Sequence, residues 1–188
     1  MLKSIEGYGR YVEIAGFADV TIGDEKTFVS DVRCRVPEGV ELQFFDASVV
    51  ATWQHLFFAV LNALVAFKNG RNISKSLAVE IVLYASGQRQ IRKAIERVGV
   101  KVTSKNVAAV IIGCDAASVQ RALTIVKECI GVEPDDSVLE LSEPKMRLIK
   151  RVFDISDVQL AAAPEGKSAE QALVDLILEN MALLSTQL

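Results

Sequence analysis

The sequence predicts a mixed α/β (α+β) fold in a single domain of 188 residues, and three features carry that prediction. Alternating and β-branched stretches fill residues 1–45, the run 107–113 is apolar throughout, and most other segments repeat their apolar residues with the period of an amphipathic helix. A chain of this length buries roughly 70% of its unfolded surface, enough for one well-built core and too little for two large domains.

Residues 11–17 and 40–45 alternate like half-buried strands, and a further β-prone run, 27–36, lies between the turn signals Gly23-Asp24 and Pro37-Glu38-Gly39. Two or three strands fit this stretch. Asp46 and Ser48 can cap a helix running to Lys68, with Val49, Val50, Trp53, Phe57, Val60, Leu61 and Leu64 on its apolar face and Asn69-Gly70 at its end. Ser74 or Ser76 starts a second, mostly buried helix over 77–85. Ser86-Gly87 then breaks the chain before a third helix, 88–98, that ends at Gly99. Residues 107–113 read as a central buried strand, 116–130 as a helix stopped by Gly131, and 138–141 as a short strand or extended link. Ser142-Glu143-Pro144 caps a helix over 145–153, with Pro144 acceptable in its first turn. Residues 162–167 form a linker, and Ser168-Ala169-Glu170-Gln171 is an N-terminal capping pattern for a last helix within 168–185.

Several function classes lack material. The apolar runs 56–67 and 77–85 are shorter than the about 18 to 20 residues that cross a bilayer. The opening residues, Met1-Leu2-Lys3-Ser4-Ile5-Glu6, have no signal-peptide pattern, so a cytoplasmic location is expected. Cys34, Cys114 and Cys129 are odd in number and far apart, and read as reduced, buried thiols. With no CxxC pair and His55 as the only histidine, a zinc site or a histidine-based triad has no obvious components, and His55 itself reads as structural. Asp135 and Asp136, beside Pro134, suit a turn or helix cap. No phosphate-loop motif occurs, and no cofactor, metal, membrane, DNA partner or catalytic residue is assigned.

Charge is distributed unevenly. Residues 68–105 carry nine Lys or Arg against two acids, Glu80 and Glu96, a local balance of +7 in a chain whose net charge is −3. On the predicted helix 88–98, Ile91, Ala94, Ile95 and Val98 share one face and are expected to pack, while Arg89, Arg92, Lys93 and Arg97 fan around the other. Ser86 as cap and Gly87 as an unobstructed entry would make this helix start an anion site, with Lys68, Arg71 and Lys75 as a basic rim if their loop lies near. Candidate phosphate-binding residues are therefore Lys68, Arg71, Lys75, Ser86, Gly87, Gln88, Arg89, Gln90, Arg92 and Lys93. Solvated surface charge and an acidic protein partner are the competing readings of the same residues. The last helix is apolar almost all round, which fits either burial in the core or a stripe that docks a partner.

The stretch Asp46 to Thr52, His55, the run Ser86-Gly87-Gln88-Arg89-Gln90-Ile91 followed by Ala94-Ile95, and Asp135 to Glu140 followed by the helix 145–153 resemble the Cgi-type (PRPK-binding protein) subunits of the KEOPS complex in their archaeal form. The agreement runs over about residues 40–155, and the Ser-Gly-Gln-Arg-Gln-Ile run is its specific part. The resemblance implies a small, mainly antiparallel sheet flanked by helices. It implies a non-catalytic subunit that binds the N-lobe of the complex's small atypical kinase/ATPase. It further implies a grip on the single-stranded 3′ CCA end of tRNA during threonylcarbamoyl-adenosine formation. Taken with the apolar excess of the last helix, it makes Leu173, Ile177, Met181 and Leu184 the expected kinase-docking stripe. The alternative is an α/β regulatory domain that binds a small anionic ligand at Ser86-Gly87.

Overall fold

Val107–Gly113 is apolar at every position because it is covered on both sides: it is the buried inner strand β4 of a four-stranded, fully antiparallel sheet. The computed structural model describes residues 2–162, 164 and 166–184. The sheet belongs to a first unit, residues 2–47 with 99–138, and contains β1 (Leu2–Ile5), β2 (Arg10–Phe17), β3 (Glu41–Asp46) and β4 in the order β1-β2-β4-β3. Tyr11 faces Gly113 and Phe17 faces Val107 across β2 and β4, while Glu41 faces Ile112 and Asp46 faces Val107 across β3 and β4. Alternate residues point to one face, so Ala15, Phe17, Leu42, Phe44, Val107, Ala109 and Ile111 form one layer of the core. Val32 from helix α1 (Glu25–Arg33) and Val119, Ala122 and Val126 from helix α5 (Ala116–Ile130) pack onto it.

The fold class is thus α+β with an antiparallel sheet, as expected. Several local expectations fail. The β-prone run 27–36 is mostly helix α1, because the Asp24 carboxylate accepts the Thr27 N–H at 2.8 Å and nucleates a helical turn that outweighs the β preference of Thr27, Phe28 and Val29. Asp46 and Ser48 do not cap the next helix: Asp46 ends β3, where it accepts a 2.8 Å hydrogen bond from the Ser104 hydroxyl, and Ala47–Val49 is a short 3-10 turn. Asp135 and Asp136 do serve a turn. Beyond the short partner β1, the free edge of β2 at Gly16 is closed by this segment: Gly16 N–H donates to Asp136 Oδ1 at 2.9 Å and Asp135 N–H donates to the Gly16 carbonyl at 2.8 Å. The approach needs glycine, since a Cβ on residue 16 would lie 2.5 Å from Val138 Cγ2 and 2.6 Å from the Asp135 carbonyl. Of the stretch 138–141, expected as a short strand or an extended link, Val138 and Leu139 end a 3-10 turn, Asp136–Leu139, and 140–141 is a link without regular structure. Cys34 and Cys114 are exposed and Cys129 is half-buried, so the thiols are free as expected but are not core residues.

The second unit, residues 48–98 with 139–184, is helical among its described residues. It contains α2 (Trp53–Lys68), α3 (Leu77–Ser86), α4 (Ile91–Val98), α6 (Glu143–Val152), α7 (Asp157–Ala161) and α8 (Ala169–Leu184). Helices α2, α4 and α8 all pack on α3, which explains why α3 is buried along nearly its whole length. The short helix α7 falls where no element is expected, although the capping box in which Ser156 and Gln159 bond each other's backbone N–H is written in the sequence. Of the expected linker, Ala163 and Glu165 lie outside the described residues. Ser168 and Gln171 form the expected reciprocal cap of α8.

Candidate functional site

The basic region is organised by α3, whose two ends are fixed in different ways. At its N-terminal end the fully buried Glu80 carboxylate accepts the N–H of Ile73 at 3.1 and 3.0 Å and that of Ser74 at 2.7 Å. The loop between α2 and α3 is thereby tied down from inside, while Lys68, Arg71 and Lys75 remain exposed around it. Glu80, which from sequence counts only as an acid within a basic stretch, is the residue that orders this loop. The signal for that role is its position, an acid in the middle of the apolar run 77–85.

At the other end, Ser86 and Gly87 do not start a helix. They finish one. Gly87 takes the left-handed conformation, φ 62°, its N–H donates to the Tyr84 carbonyl at 3.0 Å, and Gln88 N–H donates to the Leu83 carbonyl at 3.1 Å, the pair of bonds that closes a Schellman motif. Ser86 is buried and turns its hydroxyl back to the Leu83 carbonyl. This terminus presents carbonyls and the negative end of the α3 dipole. The helix start expected at Ser86-Gly87 is therefore a helix end, and the free N–H groups and positive dipole end from which an anion site was expected there are absent. The carbonyls left over are capped from within: Ala85 by His55 and Ser86 by Arg97 Nη1 at 3.2 Å.

The chain turns through Gln88, Arg89 and Gln90, of which Arg89 and Gln90 are exposed, and α4 begins at Ile91, three residues later than expected. α4 buries Ala94 and Val98. Ile91 and Ile95, expected on the packed face, are instead 44% and 49% exposed. The buried line passes through positions 94 and 98, and the two isoleucines flank it on the solvent side. Arg92, paired with Glu96 at 2.9 Å, and Lys93 are exposed beside them. Arg97 departs from the exposed set: its guanidinium lies 5.4 Å from the centre of the Phe153 ring and 3.6 Å from the Asp154 carboxylate, a structural position.

The two basic groups sit at opposite ends of α3. Ten residues of helix rise about 15 Å, so Lys68, Arg71 and Lys75 do not form a rim around the turn that carries Arg89. A ligand meeting both groups has to be extended and carry repeated negative charge.

His55 is structural. It is fully buried on α2, its Nδ1 accepts the Ala51 N–H at 3.2 Å, and the proton on Nε2 is then donated to the Ala85 carbonyl at 2.7 Å. Burial pushes its pKa down to about 4; the Ala85 carbonyl opposes this and the charge of Lys145 adds to it. Among the described residues no group of three or more His, Cys, Asp or Glu is arranged to hold a metal, and no helix is long and apolar enough to cross a membrane.

Leu173, Ile177, Met181 and Leu184 are all buried, so the stripe expected to dock a kinase belongs to the chain's own core. A helix packed on α2, α3, α6 and α7 has one face to spend on its own unit, and this is that face. Apolar side chains left in solvent lie outside this stripe, Leu183 of α8 itself among them. Phe58 and Val65, two turns apart on α2, are each 42% exposed.

Over 117 residues the chain is 42% identical to the "Regulatory protein Cgi121" of the archaeon Methanocaldococcus jannaschii, a match covering 62% of this chain and 72% of that protein. Residues 23–185, which take in α1, the strands β3 and β4 and the whole α2 to α4 cluster, match the family described as "Kinase binding protein CGI-121", and the chain belongs to that family.

Proposed function

We propose that this protein is a non-catalytic regulatory subunit that binds the small atypical kinase/ATPase of the KEOPS complex and brings tRNA to it by the 3′ CCA end, for threonylcarbamoyl-adenosine formation. The observation that carries the RNA half is the surface of α4 and the turn before it, where half-exposed Ile91 and Ile95 lie among exposed Arg89, Gln90, Arg92 and Lys93. Unstacked bases at a single-stranded end need apolar or planar surface to lie on, and their phosphates need cations close by. A folded duplex would not need the isoleucines. The position of Lys68, Arg71 and Lys75 about 15 Å away along α3 favours a chain of phosphates over a single small anion.

The kinase half rests on the family and on apolar surface outside the buried stripe of α8. The exposed side of α2, with Phe58 and Val65, is the surface proposed for it. The RNA site is tested by measuring fluorescence anisotropy of labelled tRNA against the full chain over a range of salt. Arg89→Ala with Lys93→Ala is expected to weaken binding and to lower the salt slope by about 0.7 for each phosphate that the variant no longer neutralises. Ile91→Ser with Ile95→Ser is expected to weaken binding with little change of slope. Unchanged affinity in both pairs overturns the site.

A further inference from the structure

We infer that the Tyr84 hydroxyl is a contact for the RNA strand: it donates a hydrogen bond to a phosphate that the Arg89 guanidinium also meets, where the strand passes along α3 from one basic group to the other. The inference rests on the RNA half of the proposed function and adds a residue that no motif marks. The two basic groups are separated by α3, and a helix buried along nearly its whole length offers a passing strand little to hold. Its polar side chains are Glu80, Tyr84 and Ser86. Glu80 is committed to the N–H groups of Ile73 and Ser74, and Ser86 to the Leu83 carbonyl. Tyr84 differs from both, since its hydroxyl has no hydrogen-bond partner among the described residues.

Burial and charge narrow what this hydroxyl can do. Tyr84 is only 4% exposed, and a tyrosine packed so closely usually finds a partner for its O–H within its own protein. Among the described residues, Thr52 Oγ1 is the one side-chain polar atom that is both shut off from water and unpaired. The Tyr84 oxygen is therefore not shut off: the ring is enclosed and the hydroxyl reaches the surface. Side chains on a helix lean toward its N-terminus, which carries this hydroxyl from residue 84 back toward Glu80, one turn earlier. Burial holds the phenol above its ordinary pKa, the Glu80 carboxylate adds to this, and the Arg89 guanidinium opposes it. Charges from both ends of α3 thus act on one oxygen, and such effects fade with distance and screening. Arg89 is close enough for one phosphate to meet both groups. The phenol stays protonated at neutral pH, and a donor beside a guanidinium suits an anionic oxygen, in a charge-assisted bond.

The test is fluorescence anisotropy of labelled tRNA with the full-length chain over a range of salt, comparing wild type, Tyr84→Phe, Arg89→Ala and the double variant. Tyr84→Phe keeps the ring and removes only the hydroxyl, so its melting temperature is expected to stay close to wild type. Its affinity for tRNA is expected to fall about tenfold, as for a lost hydrogen bond to a charged group, with the salt slope unchanged because no cation is lost. Arg89→Ala is expected to lower the slope by about 0.7. Because both groups meet one phosphate, the double variant is expected to lose less than the product of the two single effects. Wild-type affinity in Tyr84→Phe, or single effects that multiply in the double variant, overturns the contact while leaving the RNA reading in place. Weaker binding by Tyr84→Phe together with a lowered melting temperature assigns the hydroxyl to the fold and overturns the contact too. No binding by the wild type overturns both.

Discussion

His55 is held between two backbone groups that each require a particular ring nitrogen, and this fixes its charge as well as its place. The folded ring titrates at about 4 and the free side chain at 6.5, so between these values the unfolded chain holds the extra proton. Stability contributed by the neutral ring is complete above about pH 6.5 and is lost as pH falls toward 4, a total of about 3 kcal/mol. The carboxylates whose pKa values are lowered by capping bonds, Asp24, Asp115 and Asp135, start from 3.8 and act at lower pH, outside this window. Thermal melts at pH 7 and pH 4.5 should show the loss in the wild type. His55→Gln should be less stable at pH 7 and much less sensitive to pH; an undiminished pH response in that variant contradicts the assignment. Glu80 makes a comparable prediction at the other end of α3. Glu80→Ala strands two backbone N–H groups, at about 1 to 3 kcal/mol each, and should speed amide exchange at Ile73 and Ser74 before it changes exchange in α5. Gly87, expected from sequence to allow close approach of RNA, has a structural task set by its left-handed φ. Gly87→Ala should cost about 1 to 2 kcal/mol of stability, read as a lowered melting temperature, whether or not RNA is present.

Among the elements, those that are legible in sequence carry their signals within themselves. β4 is apolar at every position, α5 has Asp115 as cap and Gly131 in the left-handed conformation at its end, and α8 has its Ser168 and Gln171 reciprocal cap. The elements that mislead carry two signals of equal local strength. Residues 27–36 combine β-prone side chains with a capping aspartate, and the cap prevails because α1 has the sheet to pack on. Ser86-Gly87 can read as the start of one helix or the end of another, since helix-forming residues stand on both sides; only the bonds from Gly87 and Gln88 back to α3 decide. The period of α4 correctly groups Ile91, Ala94, Ile95 and Val98, but sequence cannot say about which of them the buried line is centred. α8 poses the same choice between core and partner. With its stripe buried, Leu173→Ala or Ile177→Ala should destabilise by roughly 2 to 5 kcal/mol. Kinase affinity of the fraction that remains folded, measured well below the melting temperature, should stay near that of the wild type. A selective loss of kinase affinity at unchanged melting temperature contradicts the burial of this stripe.

For the whole molecule, what a sequence does not display is proximity between distant segments. The basic excess over 68–105 is visible, and so is its suitability for phosphate, yet its division between the two ends of α3 depends on how α2, α3 and α4 pack. A surface groove of about 510 Å³ in the second unit, lined by Trp53, Leu141 and Val174 among others, draws on three stretches separated by more than thirty residues each, and no periodicity links them. The central claim concerns the basic and apolar surface of α4 and a single-stranded RNA end. It is tested most directly by comparing the affinity of the full-length chain for intact tRNA with its affinity for the same tRNA trimmed of its terminal CCA, at one fixed salt concentration. The account predicts that trimming abolishes most of the binding, and that the double variant Ile91→Ser with Ile95→Ser loses the ability to tell the two RNAs apart. Equal affinity of the wild-type chain for intact and trimmed tRNA would contradict it.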